Sequence, residues 1–222
     1  MEKENISKEW NWQKVIDVSP WLEPAPDAYY LAAKWSNESK KDFLDFGCGL
    51  GRHSLFFASK GFNVSSFDLS LDSVNEVLKR AKKLNLNIEV KLSDMHHVDY
   101  PSNSFDAILA YHVISHTNLE KIQLVADELF RLLRKGGEVY FDACSDDSWI
   151  ALKSNYPKMD SQTYVVNQEG PEFGIPHLCL SLKDIKRIFS KFELVKITHK
   201  DVQVENDTDC DHKHFWVLLR KK

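Results

Sequence analysis

The chain has 222 residues, of which 43% are hydrophobic and 28% are charged, and its net charge is -4 at neutral pH. This length suits one large domain with a buried core, and the composition is that of an ordinary globular protein. The acidic balance disfavours a nucleic acid as the main partner, because nucleic-acid binding rests on many basic contacts to phosphates.

The N-terminal residues and the cysteines both favour a cytoplasmic location. The first residues, MEKENISKEWNWQK, are charged and not typical of a secretory signal, and no apolar run approaches the roughly 20 residues of a membrane span. The four cysteines, Cys48, Cys144, Cys179 and Cys210, form no CxxC pair. We therefore expect reduced thiols in a cytoplasmic protein without membrane contact.

Residues 1–40 are unusually aromatic. They contain Trp10, Trp12, Trp21, Trp35, Tyr29 and Tyr30. Asp27 is predicted to cap a helix over residues 28–37. Two interpretations stay open for this segment, which we name the N-terminal aromatic cap. It either packs on the core alone, or it also covers a ligand site, for which aromatic walls are well suited.

From residue 42 onward, apolar strands alternate with amphipathic helices. The predicted strands are DFLDFG, FNVSSFDLS, NIEVKLSD, SFDAILAYHV and EVYFDAC. The predicted helices are GRHSLFFASKG, LDSVNEVLKRAKKLN and NLEKIQLVADELFRLLRKGG, the last ending at its two glycines. In the second helix, capped by Ser70, one apolar face is predicted to comprise Leu71, Val74, Val77, Leu78, Ala81 and Leu84. This alternation predicts a parallel sheet covered on both faces.

The alternation breaks over residues 145–180, which contain three prolines and two possible short strands, QTYVVNQ and PHLCLS. Residues 181–222 then begin with a helix, LKDIKRIFSKF, and end with two long strands around a polar turn. Because a hairpin is antiparallel, the sheet is predicted to close with an antiparallel edge.

The loop GCGLG at residues 47–51 raises the question of its ligand. A dinucleotide fingerprint, G-x-G-x-x-G, would need a third glycine where Arg52 or Ser54 stands, and the Gly-Lys-Ser/Thr ending of a phosphate loop is absent. Asp45, at the end of the preceding strand, would repel a pyrophosphate and attract an ammonium group. These features disfavour an NAD-dependent oxidoreductase.

Two further acidic residues follow the next two strands. Asp68 can accept both hydrogen bonds of a ribose diol, a feature that NAD-binding folds share. Asp94 can accept a bond from an adenine amino group while the Met95 backbone donates to the ring. Three carboxylates at three successive strand ends suit a ligand with an amine, a ribose and an adenine but no phosphate.

The motifs LDFGCGLGRHS, SSFDLS, LSDMHHVDYPSNSFDAILAYHVISH and ELFRLLRKGGEVYF resemble the class I SAM-dependent methyltransferases of the small-molecule group. The resemblance covers residues 41–144 and continues more loosely to the end. It implies an α/β fold, a Rossmann-like three-layer sandwich. Its seven-stranded, mostly parallel sheet would have the order 3-2-1-4-5-7-6 and an antiparallel C-terminal hairpin.

The resemblance further implies one methyltransferase domain over residues 1–222. Within it, residues 41–144 would be the SAM-binding core, residues 145–180 a substrate-pocket insertion, and residues 181–222 the last helix and terminal hairpin. The cofactor would be S-adenosylmethionine (SAM), and the product S-adenosylhomocysteine.

Roles in cofactor binding are carried over residue by residue. The implied cofactor-binding residues are Asp45, Gly47, Gly49, Gly51, Arg52, Asp68, Leu69, Asp94, Met95 and Tyr111. The glycines would line the methionine and ribose, Asp45 would lie near the amino group and Tyr111 near the methionine part. Leu69 would flank the adenine. Arg52 could face the ligand carboxylate, although a solvent-facing first helical turn for Arg52 and His53 stays open as the alternative.

Three histidines are the candidate catalytic residues. SAM carries an activated methyl group, so a base is needed only if the acceptor must lose a proton. His112 and His116 follow the fourth strand, and His177 lies in the insertion; their ordinary pKa near 6.5 suits proton transfer. The alternatives are a buried structural histidine for the first two and a surface loop for His177.

No metal site is expected. The neighbouring histidines of DMHHVD are interpreted as a turn, and DTDCDHKHFW, with Asp209, Cys210, Asp211, His212 and His214, as a polar hairpin turn. The predicted function is direct in-line transfer of a methyl group from SAM to a small-molecule acceptor. An RNA or tRNA methyltransferase and a non-catalytic SAM-binding module remain the alternatives, and the sequence predicts neither the acceptor nor the oligomeric state.

Overall fold

The computed structural model describes residues 7–15, 21–202 and 212–222. Its strands are β1 Asp42–Phe46, β2 Asn63–Asp68, β3 Ile88–Leu92, β4 Phe105–Ala110, β5 Leu133–Cys144, β6 Thr163–Val165, β7 Pro176–Leu178, β8 Phe192–Val202 and β9 His212–Lys221. Its α-helices are α1 Pro26–Asn37, α2 Arg52–Ser59, α3 Leu71–Lys83, α4 Ile122–Leu132, α5 Trp149–Leu152 and α6 Leu182–Ile188. A short 3-10 helix, Trp12–Lys14, precedes them.

Seven strands form one sheet in the order β3-β2-β1-β4-β5-β9-β8. The first five are mutually parallel, while β9 pairs antiparallel with both β5 and β8. Because β6 and β7 lie outside this sheet, β8 and β9 are its sixth and seventh strands along the chain. The predicted order 3-2-1-4-5-7-6 and the antiparallel C-terminal hairpin are therefore confirmed. The two short predicted strands, β6 and β7, form a separate two-stranded sheet. No helix in the described ranges is long and apolar enough to cross a membrane.

Two apolar cores lie on opposite faces of the sheet, as the predicted three-layer sandwich requires. Side chains alternate between faces along each strand, so neighbours such as Phe43 and Leu44 enter different cores. Phe43 packs with helices α1, α2 and α3, and Leu44 packs with α4 and α6. Trp35 of the aromatic cap is fully buried in the first of these cores.

Helix α1 begins differently from the prediction. Ala25 occupies the N-cap position and Pro26 the first helical turn, so Asp27 is not the cap. Proline suits this position because its missing N–H would have no partner there, and its fixed φ is already helical. Asp27 lies in the first turn, where its charge favours the positive end of the helix dipole.

Only half of the predicted apolar face of α3 is buried. Val74, Val77 and Ala81 face the core. Leu71 and Leu78 are about half exposed, because at 100° per residue they lie roughly 70–90° from the centre of the buried stripe. Leu84, also exposed, follows the end of the helix.

Helix α4 ends before its predicted stop. It ends at Leu132, and Leu133 is already extended, with φ -71° and ψ 143°. Leu133 pairs with Phe105 of β4, so the Arg-Lys-Gly-Gly segment belongs to the start of β5. Pairing with the neighbouring strand therefore overrides the helical pattern one residue after Leu132.

The described cysteines Cys48, Cys144 and Cys179 are free thiols. Two that are distant in sequence meet in the fold, since the Sγ atoms of Cys144 and Cys179 lie 3.1 Å apart. Cys210 lies outside the described residues.

Candidate functional site

A cavity opens at the carboxyl ends of β1, β2, β3 and β4. The strand order reverses between β1 and β4, and such a switch point is where open parallel sheets bind ligands. Of the predicted cofactor-binding residues, the cavity wall includes Gly47, Gly49, Arg52, Asp68, Leu69, Asp94, Met95 and Tyr111. It also includes the candidate catalytic residues His112 and His116. Asp45, Gly51 and His177 do not line it.

The glycine loop requires glycine for steric reasons. Gly47 and Gly49 have φ values of +72° and +51°, in the left-handed region that other residues rarely adopt. A Cβ on Gly49 would lie 2.7 Å from the indole of Trp12. A Cβ on Gly51 would lie 2.6 Å from the Val77 side chain, so this glycine permits close packing of α3.

Asp45 lies behind the loop. Its side chain is 1% exposed, and its Oδ2 accepts a hydrogen bond of 2.6 Å from Ser54 Oγ. Burial raises the pKa of Asp45 to about 6. In this conformation the carboxylate therefore contributes to the field of the site from beneath, without reaching the cavity wall.

Asp68 joins the end of β2 to the glycine loop. Its Oδ2 accepts a 2.8 Å bond from the Gly49 N–H, and its Oδ1 accepts a 2.9 Å bond from the Ser70 N–H. Burial raises the pKa of Asp68. Each carboxylate oxygen can accept a further hydrogen bond, so the residue suits the two hydroxyls of a ribose.

Asp94 is already held by its neighbour. Its Oδ1 accepts bonds from the His96 N–H, at 2.8 Å, and from His96 Nδ1, at 2.6 Å. Burial opposes ionisation of Asp94, but the bonds from His96 outweigh it and hold the pKa below its usual range. His96 Nε2 also lies 2.8 Å from Thr117 Oγ1, while His97 is exposed. The two adjacent histidines thus point to different surroundings, as expected for a turn.

Arg52 lies between aromatic rings. Its guanidinium carbon is 5.4 Å from the Trp21 ring centroid and 5.3 Å from that of Tyr111. Burial lowers the pKa of Arg52. The alternative of a solvent-facing first turn is wrong, because His53 is 3% exposed and its Nε2 accepts a 3.2 Å bond from the Ala25 N–H.

His112 is held by a buried carboxylate that the sequence interpretation missed. Asp142 Oδ1 accepts a 2.6 Å bond from the His112 N–H, and Oδ2 accepts bonds from Nδ1 of His112, at 2.7 Å, and of His214, at 2.8 Å. Since a carboxylate only accepts, both rings carry their proton on Nδ1. His112 also has a left-handed backbone, with φ +55°. Strain of this kind persists where surrounding contacts enforce it, and it clusters at functional sites.

The group formed by Asp142, His112 and His214 concentrates charge in a buried place. Burial opposes ionisation of Asp142, yet the two imidazoles hold its pKa well below the usual range. Burial also opposes protonation of His214, but the bond to Asp142 outweighs it and the pKa of His214 is raised. An aspartate within the otherwise apolar run Val139–Cys144 was the signal available in the sequence, because a buried charge needs partners.

His116 and His177 lie together at one end of the cavity. His116 is on the wall, with its ring centroid 5.9 Å from that of Trp10. His177 lies behind it, 4.8 Å away between ring centroids, and is 9% exposed. The surface-loop alternative for His177 is therefore wrong. Asp209, Cys210 and Asp211 of the polar turn lie outside the described residues.

Tryptophans of the aromatic cap cover the cavity. Trp10 and Trp12 stack with centroids 4.9 Å apart, and Trp21 meets Trp10 edge-on at the same distance. The remaining free space is about 100 Å³, whereas ligand pockets typically measure 300–1,000 Å³. The indole of Trp12 thus occupies part of the space above Gly49.

The residues on the wall fit SAM by their chemistry. Leu69 and Met95 supply apolar contacts for a base, Asp68 supplies acceptors for a diol, and the Arg52 guanidinium can meet a carboxylate. Gly47 and Gly49 place no side chain of their own between the loop backbone and the cavity.

Comparison with known proteins agrees with this fit. Residues 43–137 match the family model of the methyltransferase domain. A malonyl-[acyl-carrier protein] O-methyltransferase of Hamiltonella defensa is 30% identical over 122 residues, which are 55% of this chain and 45% of that protein. A probable S-adenosyl-L-methionine-dependent methyltransferase, TehB of Haemophilus influenzae, is 31% identical over 94 residues, 42% of this chain and 32% of that protein. The chain spans about half the length, or less, of the curated relatives it matches.

Solved structures show the same fold. TehB from Haemophilus influenzae superposes with a TM-score of 0.66 at 21% identity, covering 90% of this chain and 63% of TehB. A SAM-dependent methyltransferase from Methanosarcina mazei superposes with a TM-score of 0.72 at 19% identity, covering 90% and 99% of the two chains.

The sheet order and the ligand cavity at its switch point define a Rossmann-like methyltransferase fold. The matched segment, residues 43–137, is similar to the methyltransferase domain of the SAM-dependent methyltransferases. The cofactor of this family is SAM, which yields S-adenosylhomocysteine.

Proposed function

We propose that the chain transfers a methyl group from SAM to a small-molecule acceptor, with His112 as the group that takes the acceptor's proton. The observation that carries this proposal is the buried Asp142, which holds His112 on the wall of the same cavity as Asp68. SAM, when bound, supplies a methyl group already activated on a cationic sulfur. The chain's own task is then to bind, to orient and to exclude water.

His112 suits the role of base by its tautomer. With the proton on Nδ1 and donated to Asp142, the Nε2 lone pair is available to an acceptor's proton. Asp142 would stabilise the imidazolium that forms, without itself becoming protonated. Of the other two candidates, His116 shares the cavity wall with His112, whereas His177 stands behind it.

Cofactor binding is assigned to the residues on the cavity wall. Asp68 would hold the ribose hydroxyls, Leu69 and Met95 would flank the adenine, and Asp94 would accept from its amino group through the oxygen that His96 leaves open. The glycines and Tyr111 would line the methionine part, with Arg52 at its carboxylate. Asp45 would act from beneath the loop through its charge.

The acceptor side is assigned to the two segments outside the core. Trp10 and Trp21 of the N-terminal aromatic cap would enclose the reactants, and residues 145–180 would form the wall behind His116. An enclosed aromatic site of this kind favours a small molecule over a polynucleotide, as does the net charge of -4. Malonyl-[acyl-carrier protein], the acceptor named for one relative, is a carrier-bound candidate to screen beside the small molecules.

Calorimetry of the full chain with S-adenosylhomocysteine tests the cofactor assignment. Wild-type protein should bind, and Asp68→Asn should bind about 10- to 150-fold more weakly, since hydrogen bonds to a charged group contribute about 1.5–3 kcal/mol each. Asp99→Asn, at a carboxylate whose side chain is 95% exposed, is the matched control and should bind like wild type. Absence of binding by the wild type would overturn the proposal.

A panel of acceptors then separates the alternatives. Radiolabelled methyl transfer to hydroxyl, amine and thiol compounds supports a small-molecule enzyme, and His112→Gln should reduce that turnover while it retains binding of S-adenosylhomocysteine. Transfer only to bulk tRNA would favour the RNA methyltransferase instead.

A further inference from the structure

Two histidines and a glutamate converge at the end of the cavity beneath Trp10. His116 follows β4, while Glu172 and His177 come from the insertion at residues 145–180. One ligand atom of each residue lies within 4.8 Å of the others. His177 Nε2 and Glu172 Oε2 are 3.6 Å apart. The fold therefore gathers three potential metal ligands from two separate parts of the chain.

The two imidazoles have unmet hydrogen-bonding capacity. Nδ1 of His116 and Nε2 of His177 are buried, and neither has a hydrogen-bond partner among the residues that the structure describes. A buried polar atom without a partner costs about 1–3 kcal/mol. Two such atoms side by side call for a physical explanation.

Imidazole nitrogen and carboxylate oxygen are both ligand atoms of divalent metals.

We propose that His116, Glu172 and His177 form a binding site for a divalent transition-metal cation, with Zn²⁺ as the best match. Two imidazoles and one carboxylate are a ligand set of zinc sites that keep a fourth position open. With bonds of about 2.0–2.2 Å, tetrahedral ligand atoms lie about 3.4 Å apart. The pair Glu172–His177 is already at 3.6 Å, so His116 makes most of the remaining adjustment.

The open position would face the cavity, because His116 is the one ligand of the three on its wall. A cation there would hold an acceptor through an oxygen, nitrogen or sulfur atom and would make that atom's proton easier to remove. This consequence rests on the proposed function, whereas the binding of the cation does not.

The neighbouring group of His112, Asp142 and His214 has a similar composition but is not proposed as a second site. There the carboxylate accepts bonds from both imidazole Nδ1 atoms, at 2.7 and 2.8 Å. Its ligand atoms thus already satisfy one another, which those of His116 and His177 do not.

The test is titration of the chelator-treated full chain with ZnCl₂, followed by calorimetry. We expect one equivalent to bind, and we expect Glu172→Gln and His177→Gln each to weaken binding by about 100-fold or more. His97→Gln, at an exposed histidine, is the matched control and should bind like wild type. Substitution with Co²⁺ should give the visible absorption of a nitrogen- and oxygen-ligated ion without a thiolate band.

Binding of S-adenosylhomocysteine is measured on the same samples, which separates failure of this site from failure of the proposed function. It also reports folding, so a variant that binds the nucleoside but not Zn²⁺ supports the site. The proposal is overturned if the wild type binds no Zn²⁺, or if both variants bind like wild type. It is equally overturned if only Cys144→Ser with Cys179→Ser removes binding, because the ion would then lie on the thiol pair.

Discussion

Replacing Asp142 by asparagine should invert the tautomer of His112 at small cost in stability. In the wild type, the carboxylate accepts from the His112 N–H and from Nδ1 of both His112 and His214. In Asp142→Asn, the amide oxygen can keep the backbone bond, and the two amide N–H groups can donate to the two rings. Both rings must then carry their proton on Nε2, and His112 loses the lone pair that a base needs.

The magnitude follows from counting these bonds. Asp142→Asn keeps three hydrogen bonds but loses the strengthening that the carboxylate charge gives them. It also removes the cost of burying a charge, so we expect the free energy of unfolding to fall by only about 1–2 kcal/mol. Asp142→Ala leaves the part-buried backbone N–H of His112 without this acceptor and breaks the pair with His214. We expect it to cost about 3–5 kcal/mol.

Urea unfolding gives the two free-energy differences, and long-range ¹H–¹⁵N NMR identifies the tautomer of each ring.

The decrease in the free energy of unfolding caused by Asp142→Asn should also depend on pH. The lowered pKa of Asp142 means that its contribution is present above about pH 4 and is lost below it. The raised pKa of His214 means that its contribution is present below about pH 6.5 and is lost as pH rises through the folded-state pKa. The difference from wild type should thus be largest between about pH 4 and 6.5. An Nδ1–H tautomer for His112 in Asp142→Asn, or equal costs for the two variants, would refute this reasoning.

Two further predictions concern other parts of the molecule. Glu138→Ala should reduce the free energy of unfolding by about 3–5 kcal/mol, because this fully buried carboxylate accepts bonds from Lys34, Trp35 and Arg220. The control is Glu76→Gln, which breaks a helical ion pair with the exposed Lys79 and should lose under about 1 kcal/mol in urea unfolding. An equally small loss for Glu138→Ala would contradict the role assigned to Glu138. Trp12→Ala should tighten binding of S-adenosylhomocysteine about 2- to 10-fold, because it removes an indole that covers Gly49 and stacks on Trp10. Weaker binding in calorimetry would mean that the ring packs on the ligand instead, and Trp149→Ala, on α5, is the control.

The parts of the site that could be predicted are those set by local order along the chain. A glycine loop after an apolar strand, and carboxylates at the ends of the next two strands, must lie together once the strands are parallel. For that reason Asp68 and Asp94 could be brought to one cavity from the sequence, without knowledge of any distant contact. Asp45 lies behind the wall, where its carboxylate accepts a bond from Ser54 in the first turn of α2, and this contact could not be read from the strand pattern.

The partners of the candidate histidines could not be predicted in the same way. His214 reaches Asp142 because β9 pairs with β5 in a register that sets Cys144 opposite His214. A one-residue slip of that hairpin would turn every side chain of β9 to the other face, and the pattern of its residues does not exclude such a slip. Glu172 reaches His177 through a loop whose path depends on packing rather than on periodicity.

The contrast between contacts set by local order and contacts set by distant segments has a consequence for acceptor specificity. The family resemblance lies in residues 41–144, which also supply His112 and His116 at the end of β4. What distinguishes these two histidines comes from elsewhere: His214 from β9 shares the Asp142 carboxylate with His112, and Glu172 with His177 faces His116 from the insertion. Under the proposed function, a cofactor-binding half with the family pattern would be joined to a reacting half whose chemistry depends on segments with little family pattern. Substrate specificity in this chain should therefore change by substitution in those segments while the cofactor half stays the same.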